Sequence, residues 1–286
     1  MIGYKKDRIK TKMKHNSTIN FSDYLYIAIR AALDAGKSIM DIYAHPDADW
    51  DIQHKADNSP LTRADLVAHQ LITKALNLTS FPVLSEEGQS IPYAKRSKWD
   101  TFWLVDPLDG TKEFIKRNGE FTVNIALISK RVPVLGVVYV PVRKDLYFAS
   151  DTDGAYKITD VDSTHQPSIA ELKQKAVRLP SSMGHQGIVV VASRSHQSQE
   201  TTAYIDNLRK QGQPVTQISS GSSLKICLVA EGTADIYPRF APTMEWDTAA
   251  GHAIARAAGC NVYFIDEKTP LVYNKPDLHN PWFVVK

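Results

Sequence analysis

The chain has 286 residues, of which 43% are hydrophobic and 23% are charged. This composition supports a sizeable buried core in one or two domains and excludes an intrinsically disordered protein. The formal net charge is +3, but residues 1–15 carry five net positive charges, which leaves −2 for the rest of the chain. The body of the protein therefore lacks the strongly basic balance that is typical of a nucleic-acid-binding groove.

The basic segment 1–20 is predicted to be a solvated, disordered extension. The alternative is weak peripheral attachment to an anionic surface such as the cytoplasmic face of an inner membrane, to which each basic residue contributes about 1 kcal/mol. No apolar run is long enough to span a membrane, and no apolar segment follows the basic residues as it does in a secretory signal. Cys227 and Cys260 lie outside any metal-binding or redox spacing. We therefore expect a cytoplasmic protein.

The first half of the chain predicts two helices followed by an antiparallel meander. Apolar residues at helical spacing indicate a long helix over 22–44 and a second helix over 62–76, with a turn at 57–60 between them. A strand over 102–105 is expected to end in Asp106. The other strand patterns lie at 82–84, 121–128, 134–140 and 146–149.

The second half, after a polar stretch at 151–186, alternates between strand and helix patterns. Strands are predicted over 188–192, 215–218 and 234–237, and helices over 197–211, 222–231 and 246–258. Alternation of this kind favours helices packed on a sheet. We expect a mixed α/β (α+β) fold, with an N-terminal half at 21–155, a C-terminal half at 156–286, two sheets sandwiched by helices and a cleft between the halves.

The stretch 103–111 carries two aspartates, Asp106 and Asp109, directly after an apolar strand. Because Gly110 permits a tight turn, both carboxylates can point to one place, and the carbonyl of Leu108 can join them. Hard cations such as Mg²⁺ prefer this all-oxygen environment. Taken alone, the stretch is equally compatible with an ordinary turn.

Further acidic residues stand at strand ends and helix starts. Glu86 and Glu87 follow the strand at 82–84, Asp247 opens the helix at 246–258, and Asp65 lies in the first turn of the second helix. Each by itself is compatible with a solvated charge or a helix cap. Together they supply carboxylates where open α/β sheets place their sites.

Several other chemistries are excluded by the absence of their motifs. The nine histidines show no paired ligand spacing, which argues against zinc, and no nucleophile elbow, phosphate loop or dinucleotide fingerprint occurs. Metal-assisted hydrolysis remains.

The segments 103–114 and 245–251 resemble the two signature motifs of the inositol monophosphatase superfamily, whose fold is a layered α-β-α-β-α sandwich. Elements at 57–65 and 85–87 match two further family motifs in the same order. The resemblance covers roughly residues 22–286 and is strongest to the bacterial CysQ branch, the 3′(2′),5′-bisphosphate nucleotidases. Segments 112–124, 193–196, 221–225 and 237–240 carry the resemblance to that branch.

The resemblance implies a magnesium site with two or three ions, held mostly by the N-terminal half. One ion would be bound by Glu86, Asp106 and the carbonyl of Leu108. A second would be bound by Asp106, Asp109 and Asp247.

The resemblance also implies that Asp65 and Thr111 align and deprotonate the attacking water, and that Glu87 orients the site without being a ligand. A carboxylate that is hydrogen-bonded to a threonine hydroxyl is a reasonable proton acceptor. The implied substrate contacts are Gly110, Thr111, Ser193, His196, Gly221 and Lys225. Gly110 and Thr111 would offer backbone N–H groups to a phosphate, and Lys225 would pair with a second phosphate.

The activity that this resemblance implies is hydrolysis of the 3′-phosphate of adenosine 3′,5′-bisphosphate to AMP and phosphate by metal-activated water. The sulfated relative 3′-phosphoadenylyl sulfate is a second expected substrate, and lithium an expected inhibitor. The alternatives are an inositol monophosphatase or sugar-bisphosphate phosphatase and, more remotely, a non-catalytic metal or nucleotide sensor. The expected partner is a small phosphorylated nucleotide and not a nucleic acid, bound by a monomer or homodimer.

Overall fold

A computed structural model gives the fold of this chain. The residues that it describes are 21–45, 50–55, 59–163, 167–181, 184–194 and 197–286. The basic segment 1–20, residues 57 and 58 of the turn predicted at 57–60, and His196 lie outside the described residues. None of the described helices combines the length and the apolar character that crossing a membrane requires.

Helices form where one face of a segment can be buried. They are α1 (Phe21–Tyr43), α2 (Arg63–Leu76), α3 (Tyr93–Arg96), α4 (Thr111–Ile115), α5 (Ile169–Lys175), α6 (Gln199–Arg209), α7 (Leu224–Ala230) and α8 (Glu245–Ala257). The helix predicted over 62–76 begins one residue later because Thr62 is its N-cap: the Thr62 side chain accepts from Ala64 N–H, while Asp65 accepts from Thr62 N–H. The apolar stripe of α1 is buried as its spacing predicts.

The strands follow in chain order. They are β1 (Gln53–His54), β2 (Pro60–Leu61), β3 (Val83–Ser85), β4 (Thr101–Asp109), β5 (Thr122–Ser129), β6 (Val132–Val140), β7 (Asp145–Ser150), β8 (Gly154–Ile158), β9 (Val177–Arg178), β10 (Ile188–Ser193), β11 (Val215–Ser220), β12 (Tyr237–Arg239), β13 (Val262–Phe264) and β14 (Phe283–Val285).

The main sheet has seven strands in the order β3-β4-β5-β6-β7-β8-β9. All neighbours are antiparallel except β3 and β4, which run parallel. Because β3 and β4 are parallel, their carboxyl ends lie at the same edge of the sheet. In the C-terminal half, β10 pairs in parallel with β11, and β14 lies between β12 and β13.

Successive residues of β4 show why the sheet needs helices on both faces. Trp103 and Val105 pack with α1 and α2 in one core, whereas Phe102 and Leu104 pack with α7 and α8 in the other. Strand side chains alternate between faces, so both faces of this apolar strand must be covered. A smaller hydrophobic cluster packs α6 against β10 in the C-terminal half. The predicted sequence of helix, sheet, helix, sheet and helix layers is confirmed.

Helix α8 lies close against the main sheet because a glycine faces it. A Cβ at Gly136 in β6 would overlap the carbonyl oxygen of Ala250 in α8. On its other side, a Cβ at Gly251 would lie 2.9 Å from the Cβ of Ile226 in α7. These close approaches set the position of α8, and its first turn points towards the end of β4.

Several predictions differ from the structure, and three of the differences bear on the site or on the main sheet. The strand expected to end in Asp106 continues to Asp109, and the strand expected over 234–237 is Tyr237–Arg239. The polar stretch 151–186 contains β8, α5 and β9, so the main sheet continues to Arg178. The short strands β8 and β9 are stabilised by backbone pairing, β8 with β7 and β9 with β8, which their own composition does not reveal.

His252 in α8 supports a prediction for acid stability. Burial lowers its pKa to about 3 from 6.5, and its ring nitrogens lie 2.9 Å from the Tyr273 hydroxyl and 2.6 Å from Asn261 Oδ1. The neutral ring is favoured in the folded state, so this stabilisation is fully present above pH 6.5 and is lost as the pH falls towards 3. The expected loss is about 1.4 kcal/mol for each pH unit below 6.5.

The measurement is the free energy of unfolding by urea at pH 7 and at pH 5. His252→Gln should show a smaller drop between the two pH values than the wild type, even if its stability at pH 7 is lower. The matched control is His54→Gln, at an exposed position. An equal drop in wild type and His252→Gln contradicts the assignment of this acid sensitivity to His252.

Candidate active site

Asp106 and Asp109 stand at the irregular end of β4. The pairing of β4 with β5 shifts register between these two residues. Asp106 is buried, and one of its oxygens accepts the backbone N–H of Leu108 at 3.1 Å. Gly110 (φ 95°) then turns the chain into α4. A side chain at 110 would lie 3.2 Å from the carbonyl oxygen of Glu120, so the turn requires glycine for space as well as for backbone conformation.

Glu86 and Asp247 reach the same place from other elements. Glu86 directly follows β3, and its N–H donates to the carbonyl of Val105 at 3.1 Å. Asp247 lies in the first turn of α8, where its side chain accepts the N–H of Met244 at 2.8 Å. One carboxylate oxygen from each of Glu86, Asp106 and Asp247 lies within 4.8 Å of the others. We call these three residues the acidic cluster.

The acidic cluster is under electrostatic strain that a cation would relieve. Burial, with repulsion from the neighbouring carboxylates, raises the pKa of Asp106 and of Asp247 well above the usual range. Burial also raises the pKa of Glu86, against the opposing charge of the Lys55 ammonium. The Lys55 Nζ donates to Glu86 at 2.6 Å and to Glu87 at 2.5 Å.

These observations fit a divalent cation. The donor set is made of carboxylate oxygens alone, which hard cations prefer to nitrogen and sulfur ligands. The ammonium of Lys55 shows that the acidic side of the cleft already attracts positive charge. Glu87, expected to orient the site, contacts this lysine.

Asp109 lies beside the acidic cluster and faces another partner. Its Oδ2 accepts both the N–H and the hydroxyl of Ser223, each at 2.6 Å. Burial raises the pKa of Asp109, and the hydrogen bonds from Ser223 oppose the rise. The carbonyl of Leu108 accepts the Thr111 hydroxyl at 3.4 Å. The roles of Asp109 and Leu108 as metal ligands stay predictions.

Asp65 and Thr111 form a hydrogen-bonded pair although they are far apart in the sequence. The Thr111 hydroxyl donates to Asp65 Oδ1 at 3.0 Å, while Asp65 Oδ2 accepts the N–H of Thr62 at 2.8 Å and its hydroxyl at 2.5 Å. Burial raises the pKa of Asp65, and these three donors oppose the rise. The helix cap therefore fixes the carboxylate and directs its other oxygen to Thr111.

A cleft of about 460 Å³ is lined by Glu86, Asp109, Thr111 and Asp247 from these groups, together with residues of the C-terminal half. Every sequence-predicted substrate residue that the structure describes lines it, namely Gly110, Thr111, Ser193, Gly221 and Lys225. Lys225 is buried, and its Nζ donates to the carbonyl of Ser222 at 2.5 Å. Burial lowers its pKa to about 8. His196, the remaining predicted contact, lies outside the described residues.

Arg239 is a second cation in the cleft, and the sequence analysis assigned it no role. It lines the cleft, and its Nη2 donates to the carbonyl of Pro242 at 3.1 Å. Its Nε is buried and has no hydrogen-bond partner among the described residues. A buried donor without a partner is costly, which favours a ligand that accepts from it. The only signal in the sequence was the segment 237–240, which contributes to the resemblance stated above.

The chain is similar to proteins of a known family. The model of the inositol monophosphatase family matches residues 20–282. The chain is 46% identical over 258 residues to the 3′(2′),5′-bisphosphate nucleotidase CysQ of Salmonella typhimurium, covering 89% of this chain and 96% of that protein. The protein of the same name from Haemophilus influenzae is 34% identical over 257 residues and is covered to 89% in both chains.

Solved structures show the same fold. CysQ from Bacteroides thetaiotaomicron, a bacterial member of the inositol monophosphatase family, superposes with a TM-score of 0.87 at 56% identity. That superposition covers 94% of this chain and 98% of the other. The extragenic suppressor protein suhB from Bartonella henselae has a TM-score of 0.70 at 23% identity, with 92% and 93% covered, and shows the fold alone.

Proposed function

The chain belongs to the inositol monophosphatase family, and on this premise we propose that it is a 3′(2′),5′-bisphosphate nucleotidase. It hydrolyses the 3′-phosphate of adenosine 3′,5′-bisphosphate to give AMP and phosphate, and it converts 3′-phosphoadenylyl sulfate to adenylyl sulfate. The observation that carries the proposal is the cleft in which the cationic side chains of Lys225 and Arg239 line the same space as the acidic residues Glu86 and Asp247. Such a cleft suits a substrate with two phosphate groups.

The family is metal-dependent, and the acidic cluster supplies ligands for a metal in this chain. We propose Mg²⁺, with two or three ions per site. Glu86, Asp106 and the carbonyl of Leu108 would hold one ion, and Asp106, Asp109 and Asp247 would hold a second. When bound, Mg²⁺ supplies positive charge beside the reacting phosphorus and makes water a stronger nucleophile.

Thr111 and Asp65 accept the proton that the attacking water loses. The Thr111 hydroxyl takes that proton on its oxygen and passes its own proton to Asp65 Oδ1, to which it already donates at 3.0 Å. A raised pKa makes the Asp65 carboxylate a better proton acceptor than an exposed aspartate. The water oxygen attacks phosphorus as the bond from phosphorus to the 3′-oxygen breaks in line with it, and the 3′-oxygen takes up a proton from solvent water to become the 3′-hydroxyl of AMP.

The remaining contacts bind the rest of the nucleotide. The N–H groups of Gly110 and Thr111, at the start of α4, donate to the phosphate that is cleaved. Lys225 and Arg239 pair with the second phosphate. The other proposed contacts are Ser193, His196 and Gly221.

The proposal extends to cellular context. The enzyme works in the cytoplasm on a small phosphorylated nucleotide, as a monomer or a homodimer, and the basic segment 1–20 contributes at most weak contact with the inner membrane. The halves 21–155 and 156–286 have different tasks. The first carries most metal ligands, the proton-accepting pair and the contacts to the cleaved phosphate, and the second carries Asp247 and the other substrate contacts.

The test is release of phosphate from adenosine 3′,5′-bisphosphate, with and without Mg²⁺, beside inositol monophosphate and a sugar bisphosphate. Preferential, magnesium-dependent release from the nucleotide supports the proposal. Preference for inositol monophosphate or the sugar compound supports the second candidate, and no release from any compound supports the sensor. A purified enzyme indifferent to millimolar lithium contradicts the proposed placement in this family's lithium-sensitive group.

Lys225→Met tests whether Lys225 binds the second phosphate of the substrate. Because burial already disfavours the lysine charge, a methionine of similar volume should leave the fold intact. We expect kcat/KM for adenosine 3′,5′-bisphosphate to fall about 100-fold, through loss of a charge-assisted contact worth about 3 kcal/mol. Release from a monophosphate such as 3′-AMP should change much less. Lys210→Met, at an exposed position of the C-terminal half, is the matched control. Equal losses of kcat/KM on both substrates contradict the assignment of Lys225 to the second phosphate.

A further inference from the structure

Arg194 joins three separate segments at the wall of the cleft. It follows β10, and its backbone N–H donates to the carbonyl of Ser220 in β11 at 3.3 Å. Its guanidinium donates to the two carboxylate oxygens of Glu120, at 3.0 Å from Nε and 2.9 Å from Nη2. The same Nη2 lies 3.3 Å from the carbonyl of Ser219. Neither Arg194 nor Glu120 has a role in the site described above.

Glu120 reaches this position from the first half of the chain, in the loop between α4 and β5. Its backbone and Cβ lie between two glycines of the cleft. A Cβ at Gly110 would lie 3.2 Å from the Glu120 carbonyl oxygen, and a Cβ at Gly221 would lie 2.9 Å from both that oxygen and the Glu120 Cβ. Glu120 therefore separates the turn proposed to bind the cleaved phosphate from the loop proposed to bind the nucleotide.

We propose that Glu120 and Arg194 form a latch, which holds the ends of β10 and β11 against the Gly110 turn and so sets the position of Ser193 and Gly221 for the nucleotide. Both are positioning residues, since they act through the backbone of the cleft wall. The effect on nucleotide binding rests on the proposed function, whereas the effect on the cleft wall does not.

The geometry separates this latch from an ordinary surface ion pair. Exposed single contacts contribute little because water screens them and the side chains remain flexible. Glu120 is 7% exposed and receives both donors of a guanidinium fork, an arrangement that fixes direction as well as distance. Arg143 also approaches Glu120, but only through one contact at 3.8 Å. The side chains of Arg194 (52% exposed) and Arg143 (46% exposed) differ in this geometry and not in exposure. Arg143 lies far from β10 and β11 in the sequence and serves as the control.

The kinetic experiment compares Arg194→Gln, Arg194→Lys, Glu120→Gln, the double variant Glu120→Gln/Arg194→Gln and Arg143→Gln on adenosine 3′,5′-bisphosphate. We expect KM to rise about fivefold in Arg194→Gln, as for a loss near 1 kcal/mol, with kcat changed less than about twofold. Arg194→Lys should not restore KM, since a lysine cannot form the fork. The double variant should resemble either single variant, and Arg143→Gln should resemble the wild type.

Direct contact of Arg194 with substrate gives a different pattern, in which the Glu120 and Arg194 effects multiply and Arg194→Lys keeps most of the affinity. That pattern overturns the latch. So does a KM that is equally raised by Arg143→Gln, because general charge near the cleft then explains the effect.

Hydrogen exchange of the substrate-free protein provides the second readout. Arg194→Gln should raise the exchange rate of backbone amides in 193–194 and 219–223, and should leave β5 and β6 unchanged. Unchanged exchange in both loops contradicts the latch whichever substrate the enzyme uses, and remains decisive if Glu120→Gln fails to fold. Wild-type protein that releases no phosphate from the bisphosphate contradicts the proposed function and leaves this exchange test valid.

Discussion

Asp247→Asn is expected to lower kcat for phosphate release by about 100-fold to 1,000-fold, the range found when a group that stabilises transition-state charge is removed. The fold should persist, because asparagine can still accept the Met244 N–H that Asp247 accepts at 2.8 Å. In metal-free protein the substitution removes one of three crowded carboxylates, whose repulsion adds to burial in raising the pKa values of Asp106 and Asp247. The thermal midpoint without metal should therefore stay the same or rise.

The measurement combines steady-state kinetics with thermal unfolding, each with and without Mg²⁺. Wild-type protein should be stabilised by Mg²⁺, and Asp247→Asn should be stabilised much less, since a ligand raises stability only in proportion to its binding. Asp277→Asn, which removes an exposed carboxylate from the same half, is the matched control. Normal turnover in Asp247→Asn, or an unchanged response to Mg²⁺, rules out the assignment of Asp247 to the metal site.

Thr111→Val should lower kcat by about 100-fold or more, which is the typical contribution of a positioned proton-transfer group. The change keeps the shape of the side chain and removes the hydroxyl that donates to Asp65 at 3.0 Å. Asp65→Asn should cause a loss of similar size. The double variant should be little worse than either single variant, because the two residues act on the same proton.

The control is Thr101→Val, at the first residue of β4. Its hydroxyl bonds to Ser129 at 3.3 Å, at the opposite end of β4 from the site. Folding of each variant is checked by its thermal midpoint. Independent, multiplying effects of Thr111→Val and Asp65→Asn would contradict a shared role in moving the proton.

Much of the fold was predictable because the spacing of apolar residues along a segment indicates which of its faces is buried. The helix at Phe21–Tyr43 and the strand around Trp103 each carry the apolar spacing of a segment packed in a core. Both bounds of the helix and the start of the strand were predicted to within one residue. The end of β4 was not predictable. Asp106 and Asp109 interrupt the apolar pattern, yet pairing with β5 resumes at Asp109 after the register shift. Backbone pairing with a neighbour decides such positions, and the local sequence does not contain it.

The candidate site, like the fold, was predictable from the sequence only in part. The sequence by itself determined which acidic residues stand at strand ends and helix starts, and the order of motifs that identifies the family. Only the tertiary structure decided that Glu86, Asp106 and Asp247 meet within 4.8 Å while Asp109 turns towards Ser223. It also showed the unpartnered Nε of Arg239 among the described residues and the contact between Glu120 and Arg194. The reason is physical: side-chain identity and spacing are local properties, whereas distance and burial depend on how parallel pairing of β3 with β4 and close packing of α8 bring remote segments together.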